Sequence, residues 1–183
     1  MNIFLKEHKW EFITALIALI IFLIIGAVIL FMPLDLYRFD DTISFRVLDE
    51  RFYYEGTDVY DLFANLSQSA FQRYKLFIVL DFIIVGACGV GMTALMTPFC
   101  NKKSQILAVI LSLIPSAFNF VENILSIRAM SYFPTYKEKL CEALSAMTTI
   151  KWCTLIIWAL TFIALVVIKI LKDNKKEKIE NNK

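Results

Sequence analysis

Three ionisable side chains, Asp81, Glu122 and Lys151, sit inside stretches otherwise apolar enough to cross a membrane. Two carboxylates and one ammonium in that setting can pair with one another, hold a cation or polar head group, or exchange a proton as general acid and base. A charged group at mid-span costs at least ~2.5 kcal/mol on insertion scales, so each must face protein, water or a ligand. With both acids ionised the set keeps one negative charge. Either Arg128 or a ligand cation compensates it, or one carboxyl is protonated through burial and its acidic neighbour.

The stretch around Glu122 reads FNFVENILSIR. Asn119, Glu122, Asn123 and Ser126 fall at i, i+3, i+4 and i+7, a single stripe on a helix. Tyr74, Asp81, Cys88 and Met92 track one face of an earlier segment, with Tyr74 and Phe77 above Asp81. Gly86, Ala87, Gly89 and Gly91 in the same segment allow another helix to approach closely. Pro115, one turn before Asn119, removes an i→i−4 hydrogen bond and predicts a kink or local widening. The candidates for a ligand site or a polar cluster are therefore Asp81, Glu122, Asn119, Asn123, Lys151, Tyr74 and Ser126. No catalytic role is assigned to any of them. Lys75 and Arg128 read as interfacial residues that snorkel.

The elements that must position these groups follow from the composition. Of 183 residues 58% are hydrophobic and the mean hydropathy is +0.63, too apolar for an ordinary soluble domain. The apolar residues form four unbroken runs, about 12–32, 76–96, 106–127 and 148–168. Each matches the roughly 20 helical residues that cross a hydrocarbon core about 30 Å thick. None alternates as barrel strands do. The first run is too long for the apolar core of a signal peptide, and Phe31-Met32-Pro33 is no cleavage site. The predicted fold class is an all-α membrane protein, a four-transmembrane-helix bundle forming one membrane domain over residues 1–172. A structured extracytoplasmic connection over 33–75 and a disordered basic tail over 173–183 complete it.

Ten lysines lie on the side shared by both termini and the short 2–3 connection. Eight basic residues lie on the other side, spread over far more chain and mixed with eight acids in the first connection. The positive-inside rule then puts both termini in the cytoplasm of a cell-membrane protein. Span two runs inward, so Asp81, six residues past Lys75, lies about 9 Å below the outer surface. Span three runs outward, so Glu122, eight residues before Met130, lies about 12 Å below it. Lys151 sits about one turn inside span four. The three ionisable groups converge in the outer half of the membrane.

Within the first connection, TDVYDLFANLSQSAFQRYK has Thr57 as N-cap, Asp58 and Asp61 in the first turns, and Val59, Leu62, Phe63, Leu66, Ala70 and Tyr74 on one face. It predicts an outer amphipathic helix running into span two. Ile43 to Val47 reads as a β-like stretch, a short strand or an irregular cap. The net charge of +2 and the lack of a nucleic-acid motif argue against a nucleic-acid partner. Cys88, Cys100, Cys141 and Cys153 form no CxxC pair, and His8 is the only histidine, so no metal site and no cofactor are expected.

Leu80-Asp81 in span two, Pro115 followed by Asn119-Phe120-Val121-Glu122-Asn123 in span three, and Lys151-Trp152 opening span four resemble a family of small bacterial and protist four-span membrane proteins. The resemblance covers about residues 33–168 and includes the Tyr60–Tyr74 helix. It implies a shared fold and site, not a reaction. That family often carries Asp where this chain has Asn119, which leaves one fewer charge here. The leading functional reading is binding or handling of a lipid-like or small amphiphilic ligand at the polar site. Two alternatives stay open: an intramembrane enzyme with Asp81 and Glu122 as acid–base pair or metal ligands, and a structural or assembly subunit in which the cluster only fixes helix packing. The partners expected are membrane lipid and, with neither preferred, a second copy of the chain or another membrane protein.

Overall fold

Every long apolar run becomes a helix, because in lipid the backbone has no other way to satisfy its own polar groups within one segment. The computed structural model describes residues 7–31, 48 and 51–180. Five α-helices follow in order: α1 (Lys9–Phe31), α2 (Gly56–Asn65), α3 (Gln68–Met96), α4 (Gln105–Tyr132) and α5 (Glu138–Glu180). All but α2 are long and apolar enough to cross a membrane. Among the described residues there is no strand, and the stretch Ile43–Val47 lies outside them.

The helix expected to run from Thr57 into the second span is two helices. Leu66 (φ −78, ψ 133) and Ser67 (φ −63, ψ 160) are extended between them. Ser67 caps the second helix, its Oγ accepting from the Ala70 N–H at 3.2 Å. The N-cap of α2 is Glu55 rather than Thr57. Glu55 and Asp58 form a reciprocal capping box, in which the Glu55 N–H donates to Asp58 Oδ2 at 2.9 Å. The break turns α2 back against α5, where Val59, Leu62 and Phe63 are buried.

The long helices pack in a row, α1 on α3, α3 on α4 and α4 on α5. Their contacts rely on small residues where backbones come close. A Cβ placed on Gly89 would meet Ser116 Oγ at 2.9 Å, and one placed on Gly91 would meet the Ala18 methyl at 3.0 Å. Pro115 is buried inside α4 and does not end it. Near it, the Trp158 indole N–H donates to Ser112 Oγ at 3.0 Å, which fastens α5 to α4.

The main apolar core sits at the end of the row covered by α2. It joins Tyr54, Val59, Leu62 and Phe63 to Tyr74 and Ile78 of α3, Ala129 and Met130 of α4, and Leu144 of α5. Phe63 meets Phe71, Tyr74 and Phe133 edge to face, with centroids 5.7 to 6.2 Å apart. The last helix starts at Glu138, ten residues before the expected span, because its first turns pack on α2. Its backbone stays helical to Glu180, through most of the segment expected as a disordered tail. Lysine and glutamate favour helix there, and Lys169 pairs with Asp173 at 3.4 Å across one turn.

The glycine contacts give a paired test. Gly89→Leu is expected to lower stability by about 1 to 3 kcal/mol through overpacking against Ser116 and Leu113. Gly86→Leu, with nothing within 4 Å of its added Cβ, is expected to be nearly neutral. Thermal unfolding of both variants in detergent micelles distinguishes them.

Candidate functional site

Beneath the aromatic core, three helices change from apolar to polar at the same level. On α3 the buried series Tyr74, Ile78 is followed by Asp81. On α4, Met130 and Ala129 give way to Ser126, Asn123 and Glu122. On α5, Leu144 is followed by Ser145, Thr148 and Lys151. None of these seven polar residues is more than 6% exposed. Groups so buried need partners, and the pairing is extensive.

Glu122 is the hub. Lys151 Nζ lies 2.9 Å from Glu122 Oε2, and Thr148 Oγ1 donates to Glu122 Oε1 at 2.6 Å. Thr148 Oγ1 is also 3.0 Å from the Tyr54 hydroxyl. A hydroxyl has a single proton to give, so while Thr148 donates to Glu122 the Tyr54 phenol must donate to Thr148. The direction runs Tyr54 to Thr148 to Glu122, with Lys151 closing the other oxygen. Asn123 Nδ2 donates to Asp81 Oδ2 at 2.7 Å and ties α4 to α3 in the same layer. Ser145 Oγ donates to the Tyr54 carbonyl, and Thr149 Oγ1 donates to the Phe52 carbonyl at 3.0 Å. The segment Phe52–Tyr54 is thereby stapled along α5.

The residues singled out in the sequence take different places. Asp81, Glu122, Asn123 and Lys151 meet in one layer, as the direction of the spans requires. Ser126 is buried on the same stripe, one turn toward the core. Tyr74 belongs to the aromatic core above, stacked on Phe77 with centroids 6.1 Å apart. Asn119 lies one turn deeper and is half-buried, and its Oδ1 is buried without a hydrogen-bond partner. Lys151 is not near the start of its helix, because α5 begins at Glu138. Thr148, Tyr54 and Ser145 are the residues that sequence reasoning missed. The signal for Thr148 was present, since it stands three residues before Lys151 and shares its face. Nothing local marks Tyr54, whose partner is 94 positions away.

Beside this layer, a cavity of about 400 Å³ opens between the Tyr53–Thr57 segment and the start of α5. Its lining includes Tyr53, Tyr54, Tyr136, Glu138, Glu142 and Ser145. Gly56 permits the approach: a Cβ there would meet the Tyr136 phenol oxygen at 3.0 Å and Cys141 Cβ at 3.3 Å. The Tyr136 phenol is pushed above its ordinary value by desolvation and then by Cys141, Glu138 and Glu142. Tyr54 and Ser145 belong to both the cavity wall and the buried layer. Among the described residues no three His, Cys, Asp or Glu side chains are grouped to hold a metal ion.

No protein-family model, curated protein or solved structure matches the chain, so the chemistry of the site is read from its geometry. That geometry predicts strong coupling between Glu122 and Lys151. Lys151→Met is expected to cost on the order of 3 kcal/mol by leaving a buried carboxylate unpaired, and adding Glu122→Gln is expected to recover most of it. Thr148→Val is expected to cost about 1 kcal/mol through the lost donor. Unfolding in micelles across the double-mutant cycle measures both, and additive losses for the pair would contradict the coupling.

Proposed function

We propose that the protein is a multi-pass membrane protein that binds or handles a lipid-like or small amphiphilic ligand at the polar site in the outer half of its bundle, with both termini cytoplasmic. The observation that carries this reading is the continuity between the cavity and the buried layer. Tyr54 lines the cavity, and its phenol is bonded to the Thr148 hydroxyl, which is bonded to Glu122. A polar head entering the cavity meets tyrosine hydroxyls and carboxylates, while an apolar tail stays against exposed faces of the long helices. The cavity volume falls within the range of about 300 to 1,000 Å³ usual for small-molecule sites. The lysine distribution, denser on the side of the termini, supports an outward-facing cavity.

A second reading, in which the layer only fixes helix packing, draws on a specific observation as well. Glu122 is engaged on both oxygens, by Lys151 and by Thr148, and Asp81 accepts from Asn123. The same engagement weighs against Asp81 and Glu122 as free acid and base of an intramembrane enzyme. Quantifying amphiphiles that co-purify with the protein by mass spectrometry separates the readings. The binding reading expects an amphiphile enriched over membranes and reduced several-fold in Tyr54→Phe, which keeps the ring and removes the phenol. If nothing is enriched in the wild type, while Lys151→Met still destabilises, the packing reading stands instead.

A further inference from the structure

The cavity has an electrostatic character that selects among head groups. Glu138 and Glu142 project along its α5 wall, both exposed, and neither is ion-paired with any described residue. Glu55 adds a third carboxylate, although its side chain is engaged in capping α2. Among the described residues no lysine or arginine lines the cavity. Of the basic residues nearest in sequence, Arg51 is 3.7 Å from Asp58, Lys137 Nζ lies over the Tyr132 ring at 5.4 Å, and Lys139, exposed beside Glu138, is not part of the cavity lining. The start of α5 contributes the equivalent of about half a positive charge, which one carboxylate in its first turn offsets. Glu138 fills that place, and Glu142 stands a further turn along on the cavity wall.

The ring faces point to the same class of ligand. Tyr53 is 66% exposed and Tyr136 is 39% exposed, although both line a cavity wall. Tyr136 is held in position by an edge contact with Tyr60, centroids 6.0 Å apart at 77°. Exposed aromatic faces beside unpaired carboxylates form the arrangement in which an alkylated ammonium is attracted both to a ring quadrupole and to a counter-ion. Anionic and phosphate-only heads would meet these carboxylates with no compensating cation among the described lining residues.

We propose that this cavity takes the positively charged head of an amphiphile, a quaternary ammonium or a primary amine, with Glu138 and Glu142 as counter-ions and Tyr53 and Tyr136 as the ring faces. The proposal rests on the amphiphile reading given above and adds the charge class and the residues that recognise it. It also moves head-group recognition away from Asp81 and Glu122, whose partners are internal. Tyr54 and Ser145 at the floor of the cavity bring the bound head next to the Thr148–Glu122 link without requiring it to enter the buried layer.

The test is equilibrium binding of labelled dodecyltrimethylammonium to the full chain in dodecyl maltoside micelles, corrected for uptake by empty micelles. Labelled dodecanol and labelled choline are run in parallel. The wild type is expected to bind the ammonium amphiphile in preference to dodecanol, and Glu138→Gln/Glu142→Gln is expected to weaken it roughly tenfold. Both glutamates are exposed, so that variant is expected to stay folded, with its unfolding midpoint lowered only slightly by the loss of the first-turn carboxylate. Tyr53→Leu, at an exposed position on the opposite wall, provides a second variant and is expected to weaken binding several-fold. Equal binding of dodecanol and the ammonium probe, unchanged in the variants, would overturn the cation assignment and leave the amphiphile reading intact. Choline binding as tightly as the tailed probe would keep the cation assignment and remove the amphiphile reading. Binding of none of the three would overturn both.

Discussion

The pair formed by Glu122 and Lys151 sets the terms for the rest of the structure. A carboxylate and an ammonium withdrawn from water gain less from each other than they lose unless further hydrogen bonds complete the shell. Here further hydrogen bonds, on the Oε1 side of Glu122, come from elements distant in sequence. Thr148 donates from one turn along α5, and Tyr54 donates to Thr148 from the segment before α2. Sliding α4 past α5 by one turn would move Glu122 about 5 Å from both partners, so the pair fixes the register of those helices. It also fixes Tyr54, because the threonine between the phenol and the carboxylate has only one proton to give.

The remaining packing can be understood as what such a layer requires above and below it. Above it, α2 and the aromatic residues around Phe63 exclude water, and the low dielectric that results strengthens each bond in the layer. At the same level, Asn123 and Asp81 extend the layer to α3. Below it, the helices are joined by other means. Ser112 accepts from the Trp158 indole, Gly89 brings α3 close to Ser116 of α4, and Gly91 brings α3 close to Ala18 of α1. Lipid offers apolar side chains no reason to prefer each other over acyl chains, so close approach of small residues and directed hydrogen bonds must hold the helices. The helix α1 depends on this most. It buries only Ala15 and Ala18 among its residues of described burial and presents a wide apolar face outward.

The apolar runs made the four long helices legible, and the alternating direction of the spans made the shared depth of Asp81, Glu122 and Lys151 legible. Where elements end was not. The hydropathy falls before Thr148, yet α5 begins at Glu138, because its first turns are covered by α2 rather than by lipid. The break at Leu66–Ser67 was hidden for the opposite reason. Apolar residues continue at helical spacing across it, from Leu62 and Phe63 to Ala70 and Tyr74, although two helices supply them. Thr148 was visible in principle from its spacing to Lys151. Tyr54 was not, since its role depends on a contact that only the folded chain creates.

Tyr54 is also where the buried layer and the cavity become one system. Its carbonyl is held by Ser145, its phenol is spent on Thr148, and its ring forms part of the cavity wall. Thr148 has a second acceptor within reach, the Leu144 carbonyl at 3.2 Å, against 2.6 Å for Glu122. The shorter bond goes to a carboxylate and is the stronger of the two, so the threonine proton favours Glu122. Removing the Tyr54 phenol would take the donor from Thr148, and the fully buried threonine oxygen would be left with one bond fewer. The loss would fall on the one residue that joins Tyr54 to the Glu122–Lys151 pair. The chain of single protons from Tyr54 to Glu122 therefore ties the cavity wall to the α4–α5 contact.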